Sequence, residues 1–386
     1  MADVQLVMNA GSSSLKFSAY ASHENDPILK GKVTGIGRAP EFSATGAQAD
    51  ALGELTPETP HGEIVQRVLG WLTAHPEFGD IRAVGHRVVH GGRDFSKPVL
   101  ITDKVLQQLT ELEPLAPSHQ PHNLGAIRAV QGWKADLPQV ACFDTGFHAS
   151  QPKLNKMFGL PRALTDQGVI RYGFHGLSYE YIARVLPRHF GEVADGRVVV
   201  AHLGNGASMC AMNGRRSVAT TMGFSALDGL VMGRRCGSID PGVLIYLQQG
   251  LGMTPQQVEK LLYKESGLQG VSGVSNAMQV LQESGTPEAM EAIELFCLRA
   301  AQELSRTLPC IGGLDALVFT AGIGENSPRV RSGICAHLKW LGLEIDENAN
   351  ETGADLIHAK ASAVQVGVIA TDEEGVIVGH MRDLVG

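Results

Sequence analysis

An apolar strand that runs into a turn of glycine, asparagine and serine, and then into a second strand, occurs twice in this chain. The first copy joins Val4–Met8 to the turn in Asn9–Lys16, and the second copy, about half the chain later, is Val198–Ser208. In such a turn glycine lets the backbone approach a ligand closely, and backbone N–H groups and hydroxyls can face an anion. Two similar halves, each with a glycine hairpin, predict a duplicated fold that binds a polyphosphate from both sides.

A third turn of this kind follows an apolar strand and runs through Gly322–Asn326. It is expected to lead into a helix that has Pro328 at an early position, and a helix N-terminus beside a glycine turn favours phosphate. Each turn is a weak signal by itself. Three turns that each leave a buried strand together predict a phosphate site.

The composition limits the class of protein. The chain has 386 residues, 44% of them hydrophobic, which is enough for two domains with cores of their own. Its net charge of −8, without a lysine- or arginine-rich run, argues against nucleic acid as a partner. No apolar stretch approaches a membrane span, and the N-terminus lacks the features of a signal peptide. The six cysteines form no metal-type pairs, so we expect packed, reduced thiols and a cytoplasmic enzyme.

Apolar runs and helical spacing predict alternating strands and helices, which is typical of an α/β fold. The predicted strands are Val4–Met8, Leu15–Tyr20, Ile81–Val89, Gln139–Phe143, Arg197–Leu203, Ser208–Met212, Ala316–Thr320 and Ala363–Ala370. The predicted helices are Gly62–Ala74, Lys104–Glu111, Leu124–Ala135, Ser178–Leu186, Pro255–Tyr263, Glu288–Leu308 and Arg329–Leu341. Among the helices, Glu288–Leu308 has the clearest apolar face.

Charged residues stand where two of these strands end. Arg87 lies in the basic, glycine-rich segment Gly85–Gly92, and strand alternation puts it on the same face as Val89. A guanidinium beside an apolar side chain suits a small carboxylate with a short alkyl tail, although an arginine can also pair with a core carboxylate. Asp144 ends another strand, where it is well placed for catalysis or metal binding or can form a turn.

Further candidates lie in glycine-rich loops and after the last strand. His175 stands between glycines in front of a helix and could donate to a phosphoryl group or be structural. In the loop Gly229–Gly242, Arg235 is a better ligand candidate than Arg234, which fits a surface charge. The acidic cluster Thr371–Glu374 could hold Mg²⁺, or it could be a helix N-cap followed by first-turn acids.

These residues fit phosphoryl transfer, which requires positioning and charge neutralisation around the moving group. The inventory contains no convincing Ser/His/Asp nucleophile set and no zinc site.

The segments NAGSSSLK, GHRVVHGG, FDTGFH, YGFHG, AHLGNGAS, MGFSALDGLVMGRRCGSIDPG, TAGIGENS and ATDEE occur in that order. In these segments the chain resembles, from end to end, the acetate kinases (acetokinase family) of the acetate and sugar kinase, Hsp70 and actin superfamily. The resemblance implies an α/β fold of two actin-like, ribonuclease H-like domains from a duplicated core, with the active-site cleft between them. It implies an N-terminal domain of residues 1–149 with a returning helix at 371–386, and a nucleotide-binding and dimerisation domain of residues 150–370.

The implied reaction is the reversible, direct in-line transfer of phosphate from ATP to acetate, giving acetyl phosphate and ADP. The resemblance also implies Mg²⁺ or Mn²⁺ as the metal ion and small molecules as the substrates. It implies a homodimer, with neither nucleic acid nor a membrane as a partner. By motif, Arg87 resembles the residue that grips the acyl carboxylate, and Asp144 resembles the catalytic acid that orients substrate. His175 and Arg235 resemble the pair that stabilises the phosphoryl group in flight.

The remaining roles also follow from the resemblance. The metal positions are Asn9 and Glu373. The substrate-binding positions are Arg87, Val89, Ser118, Phe174 and Ala226. The phosphate and nucleotide positions are Ser12, Ser14, Lys16, His202, Leu203, Gly204, Asn205, Gly206, Ala277, Met278, Gln279, Gly322, Ile323, Gly324, Glu325 and Asn326.

The chain departs from the family pattern at two places. At the acyl end, Ser118 replaces a leucine and Ala226 replaces a proline, so we expect a roomier pocket that accepts propionate. At the nucleoside end, Ala277 replaces an aspartate and Gln279 replaces an arginine, which removes polar contacts worth about 1 kcal/mol each. Weaker ATP affinity or altered base selectivity is therefore expected, while the Gly322 loop argues against pyrophosphate as the donor.

Four other functions remain open at this stage. A propionate kinase is the near neighbour, and a donor other than ATP is a variant of the same reaction. An acyl phosphatase would result if water replaced a poorly held nucleotide. A non-enzymatic, actin-like scaffold would show degraded catalytic positions, yet Arg87, Asp144, His175 and Arg235 are all present.

Overall fold

The computed structural model describes residues 2–45, 51–75 and 78–386. The chain divides into two compact units, one of Met1–Gly146 with Asp372–Gly386 and the other of Phe147–Thr371. Each unit contains one β-sheet covered by helices. The domain boundaries expected from the sequence, 1–149 with 371–386 and 150–370, lie within a few residues of these.

The strands are β1 (Ala2–Ala10), β2 (Ser14–Ala21), β3 (Pro27–Thr34), β4 (Glu41–Ala44), β5 (Phe78–Val88), β6 (Val99–Leu100), β7 (Gln139–Phe143), β8 (Arg197–Leu203), β9 (Ala207–Asn213), β10 (Arg216–Thr220), β11 (Ala316–Thr320) and β12 (Gln365–Val368). The α-helices are α1 (His61–Thr73), α2 (Asp103–Glu111), α3 (Gln120–Trp133), α4 (Lys153–Lys156), α5 (Arg162–Asp166), α6 (Gly176–Phe190), α7 (Pro241–Ile245), α8 (Pro255–Lys260), α9 (Gly267–Ser272), α10 (Met278–Ser284), α11 (Pro287–Ile311), α12 (Ala321–Asn326), α13 (Pro328–Ala336), α14 (Glu347–Glu351) and α15 (Glu373–Val385).

The first unit is built on a mixed sheet in the order β4-β3-β2-β1-β5-β7-β6. Strands β1 to β4 form an antiparallel meander, whereas β5 and β7 run parallel to β1. Met8 pairs with His86, and Val88 pairs with Phe143. The carboxyl ends of β1, β5 and β7 therefore meet at one edge of the sheet, where parallel α/β sheets bind ligands.

Helix α15 packs directly on β5 of this sheet. A Cβ atom at Gly85 would lie 2.4 Å from Cγ2 of Ile377 and 2.8 Å from Sδ of Met381. A Cβ atom at these distances would force Ile377 and Met381 to shift, so glycine at this position allows the close approach of the helix to the strand. The other face of the sheet buries the apolar residues of α1, with Ile64 and Leu72 almost fully inaccessible.

The second unit is built on a sheet in the order β10-β9-β8-β11-β12. Strands β8, β9 and β10 form an antiparallel meander, and β11 and β12 run parallel to β8. The run β3-β2-β1-β5-β7 of the first unit has the same arrangement. This repetition confirms the duplicated α/β core that the two glycine hairpins predict.

Buried strands were the easiest elements to predict. Strands β7, β8 and β11 have the predicted bounds, because each is a continuous apolar run. Strands β3, β4 and β10 were not predicted, since polar residues interrupt their apolar pattern, and β6 was not predicted because it has only two residues. The strand predicted at Ala363–Ala370 was wrong in extent, because pairing with β11 is confined to Gln365–Val368.

Helix ends were harder to predict than helix positions. The clearest predicted helix extends to Pro287–Ile311, because the Thr286 hydroxyl accepts from the backbone N–H of Ala289 at the start and Gly312 ends it in a left-handed conformation. The predictions Pro255–Tyr263 and Arg329–Leu341 were too long. Helix α8 ends at Lys260, where a wider π-helical turn takes over, and α13 ends at Ala336.

The loop after β11 also differs from its prediction. Ala321–Asn326 is itself a short helix, α12, rather than an open turn, and it begins with Ala321 at a φ of 65°. Pro328 is the first residue of the next helix, α13, and the Ser327 hydroxyl caps that helix by accepting from the N–H of Val330. Pro328 therefore begins a helix, as expected. The residues of the predicted glycine turn, however, form a separate short helix before it.

Two other predictions concern the chain as a whole. The six cysteines are free thiols, and four of them, Cys142, Cys210, Cys297 and Cys335, are buried. Burial raises the pKa of the Cys210, Cys297 and Cys335 thiols to about 12, so they stay protonated. None of the helices in the described ranges is long and apolar enough to cross a bilayer.

Candidate active site

Three side chains meet at the edge of the first sheet. Asn9 is near the end of β1, Arg87 is near the end of β5, and Asp144 directly follows β7. The backbone N–H of Asp144 donates to the carbonyl oxygen of Val88 at 3.0 Å, which continues the sheet by one residue. The parallel order of the three strands thus brings together residues that are far apart in sequence.

Arg87 and Asp144 form a bidentate ion pair. Nε of Arg87 donates to Oδ1 of Asp144 at 2.9 Å, and Nη2 donates to Oδ2 at 2.5 Å. The third guanidinium nitrogen, Nη1, donates to Oδ1 of Asn9 at 3.2 Å. The Asp144 side chain is 2% exposed, whereas the Arg87 side chain is 21% exposed. Arg87 therefore pairs with a core carboxylate and still presents an accessible edge, and its role as a ligand of the acyl carboxylate stays a prediction.

Glu373 adds a second carboxylate to this group. It is the first residue of α15, and the Asp372 carboxylate caps the helix by accepting from the N–H of Gly375 at 3.0 Å. Oε2 of Glu373 lies 3.9 Å from Nε of Arg87. Burial raises the pKa of Glu373, and the positive charges of Arg87 and Lys16 oppose that shift. The acidic cluster is thus both a helix cap and a neighbour of the arginine.

The Arg87 guanidinium remains charged in this environment. Burial acts to lower its pKa, but the carboxylates of Asp144 and Glu373 outweigh burial and raise it. A permanently charged guanidinium at the end of a strand is suited to binding a carboxylate or phosphate.

Asn9 and Glu373 are the residues that could hold a metal ion. Both lie beside the Arg87 guanidinium, and they offer one amide oxygen and one carboxylate. Within the described residues, no group of three or more His, Cys, Asp and Glu side chains could hold a metal by itself. Mg²⁺ is usually bound by one or two carboxylates together with substrate phosphates. This donor set fits a metal ion that binds together with a nucleotide.

The predicted phosphate turn of the first unit is a tight hairpin. The N–H of Gly11 donates to the carbonyl oxygen of Ser14 at 2.8 Å, and Nε2 of His61 donates to the carbonyl oxygen of Gly11 at 3.1 Å. Ser12 and Lys16 are exposed, and Ser14 is half-buried. The hydroxyl of Ser12 and the charge of Lys16 are accessible to an anion.

The acyl-binding candidates of this unit are Val89, which directly follows β5, and Ser118, which precedes α3. Val89 is 5% exposed, and Ser118 is half-buried just before α3. A residue that the sequence analysis missed, Asn123 of α3, accepts from the N–H of Val89 at 3.0 Å and donates to the carbonyl oxygen of Ala10 at 2.6 Å. It ties the ends of β1 and β5 together. The signal in the sequence is a polar pair, Gln120 and Asn123, on the buried face of α3 that is otherwise apolar.

In the second unit, two histidines stack on each other. The rings of His175 and His202 have centroids 4.2 Å apart and planes 17° apart. His175 has a φ of 60° and immediately precedes α6, whereas His202 lies near the end of β8. Nδ1 of His175 is 2.8 Å from Oγ of Ser208, and Nδ1 of His202 is 2.8 Å from Oγ of Ser178. Sequence reasoning missed both serines as partners.

Arg235 belongs to the same group as His175. A Cβ atom at Gly206 would lie 3.3 Å from Nε2 of His175 and 3.6 Å from Nη2 of Arg235. Nη1 of Arg235 donates to the carbonyl oxygen of Ala226 at 3.0 Å. Arg235 is half-buried, whereas Arg234 is exposed. The structure thus brings together the predicted catalytic pair, the glycine hairpin Gly204–Gly206 and the predicted acyl-loop residue, while Phe174 is buried next to His175 in sequence.

The loop after β11 uses several polar groups internally. Oε1 of Glu325 accepts from the N–H groups of Ala321 at 2.7 Å and Thr371 at 3.2 Å, so this carboxylate stabilises the loop itself. Gly322 and Asn326 are exposed, Ile323 is half-buried and Gly324 is buried.

A buried arginine that sequence reasoning missed holds this loop from behind. Nη1 of Arg331, which is 1% exposed, donates to the carbonyl oxygens of Gly324 and Glu325 at 2.9 Å each. Nε of the same guanidinium donates to Oδ1 of Asn350 at 2.6 Å. Nothing in the sequence distinguishes Arg331 from the exposed Arg329 two positions earlier.

The two substituted positions of the predicted nucleoside segment, Ala277 and Gln279, are exposed. Ala277 stands at the N-cap of α10 and provides no side-chain cap, and Gln279 bonds to Glu283 along the helix at 2.8 Å. Met278 is buried. Nδ2 of Asn276 donates to Oδ1 of Asn205 at 3.1 Å, which connects this segment to the hairpin that follows the buried Leu203.

The model of the acetokinase family matches residues 4–379 of the chain. The chain belongs to the acetokinase family. It is 51% identical over 391 aligned residues to the acetate kinase of Rhodopseudomonas palustris, and the match covers 99% of this chain and 98% of that protein.

Solved structures agree with this membership in the acetokinase family. A propionate kinase from Francisella tularensis superposes with a TM-score of 0.91 at 35% identity, covering 99% of this chain and 100% of that one. The acetate kinase of Porphyromonas gingivalis superposes with a TM-score of 0.88 at 32% identity, covering 100% of both chains.

As a member of the acetokinase family, the protein is a phosphotransferase of the kinase type, and the family uses ATP and a divalent metal ion. These comparisons confirm the resemblance to the acetate kinases, and they confirm the predicted fold class of two actin-like α/β domains.

Proposed function

We propose that this protein transfers the terminal phosphoryl group of ATP reversibly to the carboxylate of acetate, giving acetyl phosphate and ADP, with Mg²⁺ or Mn²⁺. The observation that carries the proposal is the Arg87 guanidinium, which Asp144 holds at the strand edge while one fifth of its side chain stays accessible. The relatives named acetate kinase support the choice of acetate.

Arg87 binds the acyl carboxylate in this proposal. The bidentate bonds from Asp144 fix the plane of the guanidinium, so that its remaining N–H groups point in one direction. Asp144 is then a positioning residue, because its oxygens already accept from the arginine. The carboxylate oxygen is the nucleophile. Holding it in the correct orientation supplies a large part of the rate enhancement in a bimolecular transfer.

His175 and Arg235 act on the transferring phosphoryl group. Nε2 of His175 and Nη2 of Arg235 lie on the same side of Gly206, where they can donate to phosphoryl oxygens as negative charge develops. Asn9 and Glu373 would hold the metal ion, which would neutralise charge on the nucleotide phosphates. Neither the pair His175 and Arg235 nor the pair Asn9 and Glu373 forms a Ser/His/Asp nucleophile arrangement. This supports direct in-line transfer without a phosphoenzyme.

A donor-and-acceptor matrix tests this function. Acetate, propionate and butyrate are each incubated with ATP, GTP or pyrophosphate and Mg²⁺, and the acyl phosphate is trapped as its hydroxamate. The proposal expects acetyl hydroxamate with ATP. Acyl phosphate formed only with another donor would identify the variant that uses a donor other than ATP. Hydrolysis of acetyl phosphate without ADP would identify a phosphatase. No reaction at all would identify the non-enzymatic scaffold.

The acyl pocket is expected to accept propionate well. Ser118 and Ala226 are small and both half-buried, so neither fills space as a leucine or proline would. Replacing Ser118 with leucine should lower kcat/KM for propionate relative to acetate by roughly 10-fold, since one methylene in an apolar pocket is worth about 1–3 kcal/mol. Steady-state kinetics with both acids measure the ratio. An unchanged or increased ratio contradicts the prediction, and Ser118→Thr serves as the matched polar control.

Ala277 is expected to tolerate an aspartate with a gain in stability. Its backbone has the extended conformation of an N-cap (φ −94°, ψ 120°), yet it caps no N–H of α10. Ala277→Asp should stabilise the protein by about 1 kcal/mol and lower the KM for ATP by restoring a carboxylate at the nucleoside segment. Ala277→Ser separates the two effects, since it caps the helix without adding a charge. Denaturant titration and ATP kinetics measure them, and equal KM values for both variants would refute the nucleoside contact.

A homodimer and a cytoplasmic location stay predictions. The exposed apolar side chains of Ile245, Tyr246 and Leu251, each more than half accessible, support self-association of the second unit.

A further inference from the structure

His175 is the first member of a chain of hydrogen-bonding groups. Its Nδ1 lies 2.8 Å from Oγ of Ser208, and that oxygen lies 2.5 Å from the hydroxyl of Tyr179. Ser208 and Tyr179 are fully buried, whereas His175 is partly exposed. Tyr179 is four residues after His175 on α6, and Ser208 projects from β9, so a helix and a strand supply the chain together.

The direction of these hydrogen bonds follows from the chemistry of the groups. A phenol is a stronger donor and a weaker acceptor than an aliphatic alcohol, so Tyr179 donates to Ser208. The hydroxyl hydrogen of Ser208 then points to Nδ1 of His175, which accepts it. A neutral imidazole has one N–H, and with Nδ1 as the acceptor the proton is on Nε2.

Nε2 is the ring nitrogen that faces the proposed phosphoryl site. It is the His175 atom nearest to the position that a Cβ of Gly206 would take, at 3.3 Å, and Nη2 of Arg235 approaches the same position to 3.6 Å. A proton on Nε2 therefore points to the side from which Arg235 also donates. A proton on Nδ1 would leave a lone pair on that side, and a lone pair repels phosphoryl oxygens.

We propose that Tyr179 and Ser208 are positioning residues that hold His175 as its Nε2–H tautomer, so that the imidazole donates to the transferring phosphoryl group. The part of the proposal that concerns phosphoryl transfer rests on the proposed function. The part that concerns the tautomer rests on the hydrogen bonds alone.

A second histidine ring has a similar arrangement. His202 stacks on His175 with the ring centroids 4.2 Å apart. Its Nδ1 lies 2.8 Å from Oγ of Ser178, and that oxygen accepts from the hydroxyl of Thr371 at 2.9 Å. A hydroxyl group therefore lies within hydrogen-bond distance of Nδ1 in both rings.

The experiment combines NMR with kinetics on the full-length protein. Nitrogen-15 labelling of histidine distinguishes the two tautomers, and the spectrum of His175→Gln identifies the signals of His175. In the unaltered protein the Nε2–H tautomer is expected. Tyr179→Phe and Ser208→Ala should shift His175 to a mixture of tautomers and lower kcat roughly 10- to 100-fold, with the KM values for ATP and acetate nearly unchanged.

Tyr172→Phe is the matched control. It removes another buried tyrosine hydroxyl of the same unit, one that donates to the carbonyl oxygen of Gly168 at 2.9 Å. This variant should leave both the tautomer of His175 and kcat unchanged. A general effect of losing a buried hydroxyl would lower kcat in Tyr172→Phe as well, and that result counts against the proposal.

Two results would overturn the inference. One is an Nδ1–H tautomer in the unaltered protein, and the other is a Tyr179→Phe variant whose His175 signals and kcat match those of the unaltered protein. The proposed function can fail separately. Suppose that no acyl phosphate forms with any donor but Tyr179→Phe still changes the tautomer of His175. The proposed reaction is then wrong, while the proposed role of Tyr179 and Ser208 in fixing the tautomer is supported.

Discussion

Replacing Arg235 with alanine is expected to lower kcat by roughly 10³-fold while the KM for ATP changes only a few-fold. The guanidinium is half-buried, its Nη1 is anchored on the carbonyl oxygen of Ala226, and its Nη2 approaches Gly206 beside His175. A charge held in that way stabilises the developing charge of the transition state more than the bound nucleotide. Steady-state kinetics with hydroxamate trapping measure both constants.

Arg234→Ala is the matched control for this variant. The side chain of Arg234 is exposed, and its Nη2 reaches only Oδ1 of Asn276 at 3.5 Å. Removal of this neighbouring charge should leave kcat within about 3-fold of the starting value, as is usual for surface charges. If Arg235→Ala instead raised the KM for ATP and spared kcat, the arginine would be a nucleotide ligand rather than a group that acts on the transition state.

Asp144→Ala is expected to destabilise the protein by about 3–5 kcal/mol and to abolish measurable acyl transfer. The substitution leaves the largely buried Arg87 guanidinium without the carboxylate that accepts two of its hydrogen bonds, and an uncompensated buried charge costs this much. Denaturant titration measures the loss of unfolding free energy, and the acetate dependence of the rate measures the loss of function.

Two further variants separate stability from function at this site. The double variant Arg87→Met with Asp144→Leu removes both charges and should recover most of the stability without recovering activity. Asp315→Ala removes the carboxylate of a more exposed arginine pair, with Arg197, together with its bond to the backbone N–H of Arg197, and should cost clearly less than Asp144→Ala. The interpretation of Asp144 would be wrong if Asp144→Ala were as stable as Asp315→Ala.

The sequence singles out the proposed site residues because their chemistry differs from that of their neighbours. Arg87, Asp144 and His175 are polar residues that directly follow or precede apolar segments, and each stands next to glycine or a strand end. Strands such as β8 and β11 are predicted for the complementary reason, as both faces are buried and most of each run is apolar.

The contacts that hold those residues in place could not be predicted from the sequence. Asn123 bonds to Ala10 across 113 positions of the chain, and Ser208 bonds to His175 across 33. Such pairs depend on which strands become neighbours, and a polar residue in a helix or strand gives no sign of its distant partner. The helical form of Ala321–Asn326 was missed for a local reason, because two glycines normally disfavour a helix.

The position of Glu373 at the start of the last helix has a consequence for the order in which the molecule is completed. Helix α15 packs closely on β5 because Gly85 has no side chain that would separate Ile377 and Met381 from the strand. Glu373 begins that helix, yet in synthesis it emerges only after the whole of Phe147–Thr371. A ribosome therefore finishes the other parts of this edge, Asn9, Arg87 and Asp144, long before the carboxylate that completes it. A bulkier residue at position 85 would crowd Ile377 and Met381 and would disturb the helix that brings Glu373 to Arg87.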